Sequence, residues 1–425
     1  MEIFTKKCSG FTKKYYLCIN QNYLIVRMKT IFRTYQFELM PNQEQKTLLD
    51  KHFGCIRFVY NHFLNERKEQ YQVDKKSDNY YAQAATLTEL KKKDETIWLK
   101  EVNSQSLQFA LRCLDTAYIN FFRGNAKFPQ FKSRKKKNTF TVPQFAKLED
   151  DRFYAPKFKE GIKVNVHREV KGEIGKCTLS KTPTGKYFVS ILSEEQYQPK
   201  EKTGAVCGID LGLKDFAITS DGIKFKNNKY TKRYERKLAK AQKHLSRKTK
   251  GSTSFEKQRR KTALIHEKIT NSRMDNLHKV SHKLVTDYDI IALEDLNVKG
   301  MVKNHKLAKH ISDASWGAFV RLLEYKAGWN DKEIVKINRW YPSSKTCCEC
   351  GWINQELNLS IREWTCKNGH ILDRDLNAAK NILKEGLKIY RQELAITKVE
   401  SKSDFGNKAS STKPEAHPIA FGVGG

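Results

Sequence analysis

Two short apolar runs end on carboxylates and a third carboxylate opens a helix, and this pattern constrains the chain more than any other. Asp210 lies in Val206-Cys-Gly-Ile-Asp-Leu-Gly212, Glu294 in Ile290-Ile-Ala-Leu-Glu-Asp-Leu296 and Asp375 in Asp373-Arg-Asp-Leu-Asn-Ala-Ala379. The two runs have strand length, and Asp210 between Ile209 and Leu211 should face the carboxyl end of a sheet, where α/β folds place ligands. Each acid also has a bland reading: Asp210 caps a turn, Glu294 sits on a strand edge, and Asp375 serves the helix terminus. Asp373 is the better-placed cap, which frees Asp375, and alternation puts Asp295 on the opposite face from Glu294. If they converge, the three acids hold two Mg²⁺ or Mn²⁺ ions about 3.5–4 Å apart, hard cations that oxygen ligands favour over Zn²⁺. Such a centre hydrolyses phosphodiesters without a protein nucleophile, and no Ser/His/Asp arrangement competes with it.

Charge supports a nucleic-acid partner. The chain carries 80 Lys and Arg against 47 Asp and Glu, a formal charge of +33. The excess is spread along the chain and not confined to a tail, which favours nucleic acid over a membrane surface. The loop Lys127-Phe-Pro-Gln-Phe-Lys-Ser-Arg-Lys-Lys-Lys137 puts Lys127, Lys132, Arg134, Lys135, Lys136 and Lys137 beside two Phe residues. A very basic, mostly helical segment at 228–285 adds Arg259, Arg260 and Lys261. Both are candidate phosphate-backbone contacts; for the helix the alternative is a solvated face. No stretch approaches the ~18 apolar residues needed to span a bilayer, and the N-terminus lacks a signal-peptide pattern. The expected location is cytoplasmic, nucleoid-associated when bound to DNA, with no membrane partner.

Of ten cysteines, six stand singly at 8, 18, 55, 113, 177 and 207, which suits small buried apolar residues in a reducing compartment. The other four crowd between Cys347 and Cys366. Cys347 and Cys350 form a Cys-x-x-Cys knuckle with Cys348 left over, but the expected partner knuckle reads Cys366-Lys-Asn-Gly-His370. Gly369 cannot ligate. Cys366 is a third ligand and His370 the nearest candidate fourth, giving a closed Cys₃His site whose Zn²⁺ is structural. The alternative is a degenerate ribbon that folds without metal.

At 425 residues the chain is long enough for two to four domains. Residues 1–27 show no clear period and are expected to be a disordered lead or a mis-assigned start before Met28. Segments 28–40 and 126–200 form a β-domain, a small barrel or sheet, interrupted by a helical insert at 41–125. Residues 204–342 and 371–392 form an α/β domain that includes the basic segment 228–285, with Leu264, Ile269, Leu277, Val280 and Leu284 as its buried stripe. Within it Asp221-Gly222 signals a hairpin, and a strand ending in an acid before an antiparallel hairpin is how an RNase H-like sheet begins. The cysteine-rich insert occupies 343–370, and a polar tail at 393–425 is expected to be disordered.

These motifs resemble the TnpB (OrfB) proteins of insertion sequences, which are related to type V CRISPR effectors. The resemblance runs from about Met28 to about Ile389. It rests on Gly208-Ile-Asp-Leu-Gly212, Leu293-Glu-Asp-Leu-Asn297, Ser312-Asp-Ala-Ser-Trp-Gly317, Tyr341-Pro-Ser-Ser-Lys-Thr-Cys347 and Asp373-Arg-Asp-Leu-Asn-Ala-Ala379. The resemblance implies a multidomain α/β protein whose RuvC-type RNase H-like nuclease domain carries a zinc-ribbon insert and uses Asp210, Glu294 and Asp375 as catalytic acids. It also implies an N-terminal wedge-like β-barrel domain holding a helical recognition insert. A guide RNA from the transposon end would select double-stranded target DNA beside a short motif, and a separate transposase would be encoded nearby. The second zinc knuckle departs from the family's usual paired cysteine. Alternative readings are a compact type V CRISPR effector, an RNA-guided DNA-binding repressor without cleavage, which would lack the triad, or a transposase that joins strands itself.

Overall fold

The computed structural model describes residues 3–8, 11–16, 28–75, 78–134, 138–358 and 360–403. They divide into two compact units, residues 1–199 with 231–272, and residues 200–230 with 273–425. The basic segment expected to belong wholly to the second unit is therefore split. Residues 231–272 group with the first unit, where Glu267 pairs with Lys186 at 3.4 Å. Among the described residues no helix is long and apolar enough to cross a membrane.

In the first unit, alternating Ile31, Tyr35, Phe37 and Leu39 make Lys29–Met40 the long strand of a seven-stranded antiparallel sheet. From edge to edge the order is Asn138–Val142, Glu173–Lys181, Tyr187–Tyr197, Lys29–Met40, Phe158–Asn165, Arg152–Ala155 and Lys147–Glu149. The barrel expected here is, among the described residues, a sheet open in its hydrogen bonding. Its outermost strands have five and three residues and pair with one neighbour each. Helix Gln43–Asp74 starts on a capping box, in which Gln45 N–H donates to Asn42 Oδ1 (2.8 Å) and Asn42 N–H to Gln45 Oε1 (3.1 Å). Its Leu49, Phe53, Val59 and Phe63 share one core with the strands and with Leu107, Leu111 and Leu114 of helix Ser104–Phe122.

Three elements differ from expectation. Within the N-terminal extension, Ile3–Cys8 and Phe11–Tyr16 pair as an antiparallel hairpin. The last helix runs Arg374–Ser403, well past 392, because neither Gly nor Pro interrupts residues 393–403; residues 404–425 lie outside the described residues. Leu264 is 45% exposed while Thr262 is buried, since Thr262 stands seven residues from Ile269 on the same helix face and Leu264 only five. Of the single cysteines, Cys55, Cys177 and Cys207 are buried as expected, and Cys113 is exposed.

The second unit holds a five-stranded sheet in the order Lys224–Lys226, Asp215–Thr219, Val206–Asp210, Ile290–Glu294, Glu333–Ile337. The first three strands are antiparallel and the last three parallel. Strand alternation sends Cys207, Ile209 and Ile291 to a face covered by Phe319 and Leu323 of helix Trp316–Trp329. Gly208, Asp210, Ala292 and Glu294 then belong to the other face, which the last helix crosses. That helix lies very close. A Cβ on Gly208 would stand 2.2 Å from the Ala379 carbonyl oxygen, and one on Gly386 would stand 2.4 Å from Ala292 Cβ.

Candidate metal centres

Parallel pairing of Ile209 with Leu293 puts Asp210 and Glu294 side by side at the carboxyl ends of adjacent strands. Asp375 occupies the first turn of the crossing helix. Asp373 is its cap, with Oδ1 accepting from the Asp375 and Leu376 amides at 3.0 Å each, and Lys224 pairs with Asp373 at 3.1 Å. Asp295 turns away from Glu294 and pairs with Arg339. Burial first, and then the charges of Glu294 and Asp375, push the Asp210 carboxyl up to about 7 against the pull of Arg374 and Arg362. Burial also raises Glu294, opposed by a 2.6 Å hydrogen bond that Ser343 Oγ donates to its Oε1. Asp210 thus feels the charge of both other acids.

Two groups at this site escape a reading of the sequence. Arg362 spans Asp375, with Nη1 3.4 Å from Oδ1 and 3.3 Å from Oδ2. It comes from the cysteine-rich insert, where no period or motif marks it. Ser343 sits in the Pro-Ser-Ser-Lys stretch, whose recurrence in the resemblance was the one available signal.

The cysteine-rich insert folds as expected of a ribbon. Strands Glu363–Thr365 and Ile371–Asp373 pair as a hairpin, and Leu357, Trp364 and Leu372 pack around Cys347 and Cys366. Between the strands Gly369 takes φ +82, a left-handed turn at little cost for glycine, with its N–H donating to the Cys366 carbonyl. This turn brings His370 back to the cysteines. Cys347, Cys350, Cys366 and His370 have ligand atoms all within 4.8 Å of one another, the one such group among the described residues. Cys350 Sγ and Cys366 Sγ are 3.7 Å apart, and His370 Nδ1 lies 3.6 Å from Cys347 Sγ and 3.1 Å from Cys366 Sγ. A tetrahedral zinc with Zn–S about 2.3 Å and Zn–N about 2.0–2.1 Å needs separations of about 3.6–3.8 Å. Two of the three separations meet this and the His370–Cys366 one is shorter; in donor set and clustering the quartet fits a structural zinc site. Although desolvation opposes it, hydrogen bonds from the His370 and Asn368 amides bring the Cys366 thiol down to about 6, the thiolate a metal needs. Cys348 stays outside, its N–H donating to Asn377 Oδ1 at 2.8 Å.

The basic candidates are more scattered. Lys127, Lys132 and Arg134 are exposed, and the Lys132 ammonium also lies over the Tyr60 ring, 4.0 Å from its centroid. Lys135, Lys136 and Lys137 lie outside the described residues. Arg259, Arg260 and Lys261 are exposed on helix Thr253–Asp287, with Arg259 paired to Glu256.

Three family patterns match the chain. One described as "Probable transposase" (OrfB) covers residues 187–305, a "Cas12f1-like, TNB domain" covers 316–382, and a "Helix-turn-helix domain" covers 28–76. Two relatives bear the name "Putative RNA-guided DNA endonuclease". The one from Streptomyces pristinaespiralis is 41% identical over 365 residues, 85% of this chain and 90% of that protein. The other, InsQ of Escherichia coli K12, is 33% identical over 373 residues, 83% of this chain and 92% of that protein. A solved Cas12f1–sgRNA–target DNA complex aligns over 83% of this chain and 98% of its own at 11% identity, with a TM-score of 0.47. On the extent of these sequence matches, the chain belongs to the TnpB (OrfB) family.

Proposed function

We propose that this protein is a transposon-associated RNA-guided DNA endonuclease in which Asp210, Glu294 and Asp375 hold Mg²⁺ or Mn²⁺. The observation that carries the reading is the placement of Asp210 and Glu294 at adjacent strand ends with Asp375 in the first turn of the crossing helix, where burial first and then the charges of the other two acids push Asp210 up to about 7. An all-oxygen, acidic donor set of this kind fits hard divalent cations, which relieve the repulsion. When bound, they supply an activated water and stabilise charge on the phosphorus and the leaving 3′ oxygen. The chain's own groups do the rest. Ser343 holds Glu294, Asp373 caps the helix that carries Asp375, and Arg362 counters the charge on Asp375.

The order of elements, with an acid-tipped strand, an antiparallel hairpin, a parallel acid-tipped strand and an acid-bearing final helix, supports a RuvC-type RNase H-like assignment for the second unit. The seven-stranded sheet with its helical insert is read as the wedge-like and recognition parts. The names of the relatives support an RNA guide and a DNA target. Base pairing with a guide RNA from the transposon end then supplies most specificity, exposed Lys and Arg supply backbone affinity, and a separate transposase is encoded nearby. Retention of all three acids argues against a repressor that binds without cutting. The test is to purify the protein from its native locus, sequence the bound RNA and supply matched plasmid with Mg²⁺. Cutting should be lost in Asp210→Ala with RNA binding kept; wild-type cutting by that variant refutes the site.

A further inference from the structure

We propose that Ser343 is a positioning residue for Glu294, and that Asn377 and Asn381 make residues 343–348 a rigid strut joining the zinc ribbon to the acid site. The proposal rests on the reading of Glu294 as a metal-binding acid. Ser343 is 5% exposed, and its hydroxyl donates to Glu294 Oε1 at 2.6 Å, fixing one oxygen and leaving the other for an ion. Ser343 lies in a segment that enters the interior with no regular structure, and buried carbonyls there need partners.

One pair of carboxamides supplies them. Asn381 Nδ2 donates to the carbonyls of Ser343 (2.8 Å) and Thr346 (2.6 Å). Asn377 Nδ2 lies within 2.7 Å of the Thr346 carbonyl, 3.3 Å of that of Ser344 and 3.4 Å of that of Ser343, and Asn377 Oδ1 accepts from the Cys348 amide at 2.8 Å. Both asparagines are 1% exposed, four residues apart on one face of the helix that opens with Asp375. Burying two carboxamides is costly unless they are well bonded. Here their bonds converge on the five-residue path from Ser343, which touches Glu294, to Cys347, which belongs to the zinc quartet. Simple helix-to-loop packing would require neither the hydroxyl on Glu294 nor bonds that end on the metal knuckle.

The test uses the full chain bound to its guide RNA and matched plasmid. It measures the Mg²⁺ concentration for half-maximal single-turnover cleavage, the zinc content per chain, and hydrogen exchange of the peptide containing residues 343–348. Loss of a partner to a metal-binding carboxylate typically costs roughly 10–100-fold in metal affinity or activity. Ser343→Ala should raise the Mg²⁺ midpoint by roughly that factor with zinc content and target binding unchanged, and Ser343→Thr should restore it. Asn381→Asp, which keeps shape but removes the donor, should shift the midpoint the same way and speed exchange across 343–348. An unchanged midpoint in Ser343→Ala overturns the proposal, as does a loss of zinc or target binding equal to its loss of cleavage. Wild-type cleavage by Glu294→Gln would instead refute the acid-site reading beneath it.

Discussion

Asp210→Asn should stabilise the metal-free protein while abolishing cleavage. The Asp210 carboxyl titrates at about 7 in the folded chain against an ordinary 3.8, first because it is buried and then because Glu294 and Asp375 repel its charge. A carboxyl raised on folding favours the folded state only while it is protonated. Its contribution is fully present below about pH 4 and is lost as pH climbs through about 7. The interval from 3.8 to about 7, at about 1.4 kcal/mol per pH unit, is worth about 4 kcal/mol. Asp210 keeps some contact with solvent, so about 2–4 kcal/mol is expected at pH 8. Amide for carboxyl removes the charge at nearly constant shape. Thermal unfolding at pH 8, in buffer with neither Mg²⁺ nor a chelator that would strip zinc, should show the variant's transition raised by roughly 5–15 °C. At pH 5 the advantage should shrink to about 1–2 kcal/mol. Added Mg²⁺ should then stabilise the wild type and leave the variant unmoved, because binding the ion requires the ionised carboxylate. A variant no more stable than wild type at pH 8, or an advantage equal at pH 5 and pH 8, refutes the electrostatic account of the site.

Gly208→Ala puts a methyl 2.2 Å from a helix carbonyl and should cost about 3 kcal/mol or more, read by denaturant unfolding, with cleavage falling as the helix moves off the sheet. His370→Ala should lose zinc by elemental analysis, His370→Cys should recover it, and Cys348→Ser should keep about one ion per chain; zinc-free Cys348→Ser protein would break the assigned quartet. Arg362→Ala should retain RNA and target binding but slow single-turnover cleavage roughly 10–100-fold, with Lys recovering part of the rate because both contacts to Asp375 come from one nitrogen. Wild-type rates in Arg362→Ala would reduce that pair to a surface contact.

The parts legible in the sequence are those that local chemistry decides. Val206–Asp210 and Ile290–Glu294 read as strands because apolar runs of that length have few other uses, and Asp373 declared itself a cap by preceding a helix. His370 was legible by elimination, since Gly369 has no ligand and spends its freedom on the turn instead. Tertiary contact decided the rest. Lys132 belongs to a basic run yet lies over Tyr60, a partner 72 positions earlier. Arg362 meets Asp375 because the ribbon hairpin folds back on itself, and nothing near Arg362 in sequence shows this. Whether the first sheet closes depends on how far its shortest strands extend, which alternation alone does not fix.

The helix Arg374–Ser403 gathers these separate features into one device. Its face toward the sheet carries Ala379 and Gly386 opposite Gly208 and Ala292, and only residues this small allow the approach seen. That approach sets how strongly Asp375 repels Asp210, because the repulsion falls with distance and weakens further wherever water enters between them. The same helix carries Asn377 and Asn381, whose bonds hold the path from Glu294 to the zinc quartet. An enlarged side chain at position 208 should therefore do more than destabilise the unit. By lifting the helix it should lower the Asp210 carboxyl toward its ordinary value and loosen residues 343–348 together. In Gly208→Ala the stability gained from a further Asp210→Asn change should shrink below the 2–4 kcal/mol expected in the wild-type background, and a double-mutant cycle measures that difference directly. Full additivity of the two substitutions would mean that helix placement and acid electrostatics are independent, against the geometry of this face.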